Sequence, residues 1–127
     1  WEELNTQAFA YNRQKQYEKA IQTGFRALEI AKINFGVHHI KYAASLLNLG
    51  NLHKDHNNRR FQAKADLYYQ QAFEFFETHP QEQGHTIEGN LNMNYGLYAE
   101  MMQFPNPKKY FQRAYKIYLK KFGENHG

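Results

Sequence analysis

Seven histidines stand in a chain that has no cysteine, and two of them, His53 and His56, lie three residues apart. At that spacing on a helix two imidazoles can reach one ion. A catalytic zinc wants a third protein ligand and usually a second-shell carboxylate. Asp55 is nearby, but its position sets it on a different face from both rings. The pair is therefore expected to be a solvated helix end, where imidazole complements the helix dipole. His39 and His126 occupy a repeated linker slot and read as structural; His38, His79 and His85 read as turn residues. Without cysteine there is no disulfide framework, thiolate zinc site or thiol catalysis. No nucleophile elbow, Gly-rich phosphate loop, His-Glu-x-x-His or Asp-rich calcium loop occurs, and the scattered carboxylates form no evident acid/base pair. The expectation is a protein that is not an enzyme, with no catalytic residue, no metal and no cofactor.

Charge carries more information. The 127 residues hold 16 Lys plus Arg against 12 Asp plus Glu, a formal +4. From Met101 to Gly123 there is no acid, and Lys109, Arg113, Lys116 and Lys120 form a stripe at helical spacing. A solvated outer face explains the stripe first; a nucleic-acid or anionic-membrane contact is the alternative. Basic residues near a helix C-terminus are also favoured by the dipole.

The elements that must position these groups are helices. Aromatics make up 17% of the chain while mean hydropathy is −0.88, so apolar mass lies on faces rather than in blocks. Apolar residues recur at three and four: Ile21, Phe25, Leu28 and Phe35; Leu46-Leu49-Leu52-His53; Ile87-Leu91-Tyr95-Tyr98-Met102; Tyr110-Phe111-Ala114-Ile117-Tyr118-Phe122. Helices are predicted over 1–14, 17–34, 39–56, 60–78, 84–103 and 107–122. Gly36, Asn57-Asn58, His79-Pro80 and Pro105-Asn106-Pro107 break the pattern, and Pro107 suits a first helical turn. The class is all-α, as three helical hairpins. No apolar run approaches the roughly 18 residues of a membrane span, Trp1-Glu2-Glu3 does not open a signal peptide, and an intracellular, cytoplasmic place is expected.

The hairpins repeat. Ala8, Gly50 and Gly96 are spaced 42 and 46 apart, and Ala27, Ala72 and Ala114 are spaced 45 and 42. Their flanks agree, as in Tyr69-Gln70-Gln71-Ala72 and Phe111-Gln112-Arg113-Ala114. Small residues at such places let helices approach while large neighbours fill the grooves.

This pattern resembles the tetratricopeptide repeat, with Leu46, Leu49, Gly50, Ala65, Tyr69 and Ala72 in the second unit. Leu4, Ala8, Tyr11, Tyr17, Ala20 and Ala27 stand for the first; Gly96, Phe111 and Ala114 for the third. The first departs at Gly24, where the family has an aromatic that Phe25 would replace; the third has Pro107 for an Ala. The longer spacing, with Phe35-Gly36-Val37-His38-His39-Ile40 leading into Ser45-Leu46-Leu47-Asn48-Leu49, is similar to the kinesin light chain variety. The resemblance implies a right-handed α-α superhelix of six helices, with repeats at about 1–36, 39–79 and 84–123. Residues 122–127 would begin a linker to a further repeat. Helix 107–122 carries more apolar surface than one neighbour would cover, so the chain is expected to be a piece of a longer array or to self-associate there.

In such arrays the first helix of each hairpin lines the concave surface. The candidate contacts are Asn5, Phe9 and Asn12; Leu47, Asn48, Asn51 and Lys54; Met93, Asn94, Leu97 and Met101. Asparagine amides suit an extended peptide backbone, and the apolar members would make pockets; the same residues could equally be ordinary hairpin packing. A terminal-carboxylate clamp needs Lys or Arg at these slots, which hold Asn5, Phe9, Asn48, Met93 and Leu97 instead. The resemblance implies a scaffold for a protein or peptide, and the net charge favours an acidic one. A structural segment of a larger assembly is the rival reading.

Overall fold

The computed structural model describes residues 1–123. Residues 124–127, with His126 and all but the first two residues of the last linker copy, lie outside the described residues. Six α-helices run in order: α1 Glu2–Arg13, α2 Tyr17–Asn34, α3 Ile40–Asp55, α4 Arg59–Thr78, α5 Thr86–Met102 and α6 Lys108–Tyr118. A 3₁₀ turn, Pro80–Glu82, precedes α5, and a π-helical turn, Leu119–Gly123, continues α6. Among the described residues there is no strand.

The helix boundaries have local causes. Gly36, at φ 88, ends the second helix in a left-handed conformation open to glycine, and its N–H donates to the Ala31 and Lys32 carbonyls. His39 then starts α3, its Nδ1 accepting from the Lys41 N–H at 3.0 Å, and His85 does the same for α5 through the Ile87 N–H at 3.0 Å. Asn58 Oδ1 accepts from the Arg60 N–H at 2.8 Å at the head of α4. Each satisfies a donor that the first helical turn leaves without a partner. Pro107, at φ −63 and ψ −26, leads directly into α6.

The chain divides into two compact units, Trp1–Phe75 and the residues from Phe76 onward. In the first, α1 packs on α2 and α3, and α2 on α3. Gly50 of α3 lies under the Tyr69 ring of α4; a Cβ there would stand 2.6 Å from Tyr69 Cε1. Tyr69 is fully buried, and its hydroxyl donates to Asn51 Oδ1 at 2.7 Å. The second unit repeats the device, since a Cβ on Gly96 of α5 would stand 2.6 Å from Phe111 Cε1 of α6. Ala27, Ala72 and Ala114, at most 1% exposed, occupy the other small-residue register.

The first hairpin solves the same problem differently. Gly24 stands where the second hairpin has Tyr69, and its missing side chain admits Leu52 and Leu49 from α3, with a Cβ 2.7 Å from Leu52 Cδ1. Phe25 does not take over the aromatic position: it remains 38% exposed and meets His53 and Tyr68 edge-on.

The sixth helix also departs from its expected span. Regular α-helix ends at Tyr118, and the wider π turn carries Phe122 off the stripe of Ala114 and Ile117, leaving it 55% exposed.

Candidate functional site

In the first unit, the first-helix residues form a polar row between α1 and α3. Asn48 Nδ2 donates to Asn5 Oδ1 at 3.2 Å, and Asn5 Nδ2 donates to the Trp1 carbonyl at 3.1 Å. Asn12 Nδ2 donates to Asp55 Oδ2 at 2.9 Å, while Asn12 Oδ1 is buried without a hydrogen bond. Asn51 is tied to Tyr69 through its carbonyl oxygen. The row is thus partly spent on joining helices. Among the described residues, Asn48 Oδ1 and the Asn51 amide donors, three residues apart on α3, have no partner. Lys54 is half-buried at the end of the same helix.

Two of the apolar candidates belong to packing. Leu47 is 4% exposed, so it is not a surface contact. The cause is that α3 is buried around most of its circumference, with Ala43, Ala44, Ser45, Leu46 and Leu47 buried in succession. Phe9 is half-buried against the cluster of Ala8, Ala20, Ile21 and Leu52. In the second unit the candidates on α5 are more open. Leu97 is 47% and Met101 45% exposed, four residues apart, and Met93 is half-buried on the same helix. Asn94 Nδ2 donates back to the Asn90 carbonyl at 2.7 Å.

His53 and His56 are not at a solvated helix end. They are 1% and 5% exposed, because Phe61, Tyr68, Phe25 and Tyr17 close over them. His56 stacks on Phe61 at 4.0 Å between ring centroids. Its Nδ1 accepts from the Asn58 N–H at 3.0 Å, which places the proton on Nε2, a buried atom without a hydrogen bond. His53 Nδ1 meets the Leu49 carbonyl at 2.8 Å and donates to it. Desolvation holds the His53 imidazole below its ordinary 6.5, opposed by the Leu49 carbonyl and assisted by the positive field of Lys64. Among the described residues no three His, Cys, Asp or Glu side chains come together as a metal site would require.

The basic stripe of α6 is not uniformly free. Arg113 Nη2 donates to Glu88 Oε1 at 3.1 Å, and that buried carboxylate also accepts from the Gly84 N–H at 2.9 Å. Lys109 lies 5.0 Å over the Tyr110 ring. Lys116 and Lys120 are exposed. The Tyr118 hydroxyl donates to Asn90 Oδ1, and burial pushes its pKa up from 10.0.

Helical hairpins closed by a glycine under an aromatic ring, with polar and apolar side chains on the first helix of each, define a protein built from repeated helix-turn-helix units. The tetratricopeptide repeat family matches residues 3–78, and the chain belongs to that family. Repeats of this family generally mediate protein–protein interaction and are typically non-catalytic scaffolds. The third hairpin, beyond the matched residues, carries the same glycine-to-ring contact. No curated protein matches the chain. Among the described residues no helix is long and apolar enough to cross a membrane.

Proposed function

We propose that the protein is a non-catalytic interaction scaffold in which the first helix of each hairpin offers its own contacts to a peptide or a partner helix. The observation that carries this reading is the row on α3. Asn48 offers an unused carbonyl oxygen and Asn51 unused amide donors one helical turn apart, the complement of the N–H and C=O groups of an extended backbone. Asn5 and Tyr69 hold these amides in place, which lowers the entropy lost on binding. On α5, Leu97 and Met101 supply exposed apolar contacts, with Asn94 beside them. Asn5 and Asn12 of α1 act mainly by positioning α3, and Lys54 adds a positive charge suited to an acidic ligand.

The test is selection of peptides from a random library on the intact chain, followed by titration of the selected peptides against Asn48→Ala and Asn94→Ala. Each substitution is expected to weaken the peptides that engage its own helix about fivefold to tenfold, the loss of one hydrogen bond of about 1 kcal/mol. Helicity by circular dichroism should be unchanged. Selected peptides whose affinity neither substitution alters would show that the first helices are not the binding surface.

A further inference from the structure

We propose that the exposed side of α6 and its π-helical turn is a second docking surface, and that it takes an acidic amphipathic segment of a partner protein. The six basic residues of the second unit all fall between Met101 and Gly123, a stretch without an acid. Removing those six from the chain's 16 leaves ten basic residues against 12 acidic, so the rest of the molecule is net negative. The positive charge of the protein is therefore a local feature of α6 and its π-helical turn.

Two depressions meet along this helix. One is lined by Gln83, Gly84, Arg113, Lys116, Ile117 and Lys120, the other by Lys116, Leu119, Lys120 and Gly123. Lys116 and Lys120, four residues apart, are common to both. On the first side Arg113 is fixed by the buried Glu88, which offsets one positive charge and holds the guanidinium in place. Lys116 and Lys120 have no acidic partner among the described residues, and like charges at this spacing repel. Beyond them Tyr115, Leu119 and Phe122 are 65%, 48% and 55% exposed. A cationic strip and an apolar strip thus run side by side.

The occupant must complement both strips. A segment with carboxylates on one side and aliphatic side chains on the other places its acids over Lys116 and Lys120 and covers Leu119. A second copy meeting this surface through its own α6 does not fit, because it would set six cations against six. Nor does a purely anionic ligand, which would leave the apolar strip in water. The proposal is independent of the first-helix reading, since no residue is shared between the two surfaces.

The experiment uses the whole chain and a labelled helical peptide with Glu along one face and Leu along the other, read by fluorescence anisotropy at low and at moderate salt. The expected result is saturable binding that weakens as salt rises. It should be reduced about tenfold or more when Glu is replaced by Gln in the peptide, and again by Lys116→Glu with Lys120→Glu in the protein. A peptide with Lys in place of Glu should bind the doubly reversed protein more tightly than the original. Leu119→Ser should weaken the acidic peptide severalfold at moderate salt, where the apolar strip carries more of the affinity. All three positions are exposed, and circular dichroism checks that the variants fold. Equal binding of the Glu and Gln peptides would overturn the proposal, as would loss of binding with Asn48→Ala. Tighter association with phosphatidylserine vesicles than with the peptide, or dimerisation abolished by the same reversals, would overturn it in favour of a bilayer or a second copy.

Discussion

At the scale of single residues the chain's most consequential group is His53. The sequence reading of His53 as part of a solvated helix end fails, and its place in the apolar stripe Leu46-Leu49-Leu52-His53 is the better guide to its burial. Nothing local could show that Tyr17, Phe25, Phe61 and Tyr68, drawn from α2 and α4, close over it and His56. Burial disfavours the charged imidazole, so the folded protein binds the proton more weakly than the unfolded chain. Stability from this residue is therefore complete above the unfolded value of about 6.5 and is lost as pH falls from there through the lower folded value. The denaturant midpoint should drop between pH 7.5 and pH 5, and His53→Phe should flatten that part of the profile. The variant also loses the Leu49 hydrogen bond, a cost that is the same at every pH and leaves the slope as the readout. Parallel profiles for the two proteins would assign the pH dependence to another group.

At the scale of elements, the helices and their pairing were legible because small residues mark close approach. Gly50 and Gly96 were aligned by spacing alone, and each proves to lie under the ring, Tyr69 or Phe111, that its register supplies. What escaped was whatever depends on a third element. Leu47 reads from the sequence equally as a contact or as hairpin packing, and α3, enclosed on most sides, buries it. Phe122 continues the apolar spacing of Ile117 and Tyr118, but it falls in a π turn that spacing does not foretell, and there it is exposed. The partner of Arg113 was equally hidden, since Glu88 lies 25 residues away on another helix. That pair carries an element-scale prediction. Arg113→Ala leaves the 10%-exposed Glu88 side chain with the Gly84 N–H but no cation. Arg113 is itself 46% exposed, so solvent screening limits the loss to about 1–2 kcal/mol, less than for a fully buried pair. Lys116→Ala on the same helix should cost less than about 0.5 kcal/mol. Adding Glu88→Gln to Arg113→Ala should recover part of the loss in a double-mutant cycle. Equal and additive effects would mean that the pair is not coupled.

For the whole molecule, the sequence repeats three hairpins while the contacts form two compact units, with the boundary inside α4 between Phe75 and Phe76. A repeat protein is stabilised by terms within each repeat and between neighbours, so a local defect need not spread through the chain. Gly96 offers a way to place such a defect. Its Cβ would stand 2.6 Å from Cε1 and 2.9 Å from Cδ1 and Cζ of Phe111, so Gly96→Ala forces the ring of α6 away from α5. Overpacking of this kind costs about 1–3 kcal/mol, and the contact is closed inside a single hairpin. Hydrogen exchange on the variant should therefore lose protection mainly in Thr86–Met102 and Lys108–Tyr118. Glu2–Arg13 and Tyr17–Asn34, joined to each other and to α3 in the first unit, should keep theirs. The mirror substitution, Gly50→Ala under Tyr69, should reverse the pattern. Protection lost evenly over all six helices in both variants would show that the chain opens as one cooperative body, and that the division within α4 has no energetic counterpart.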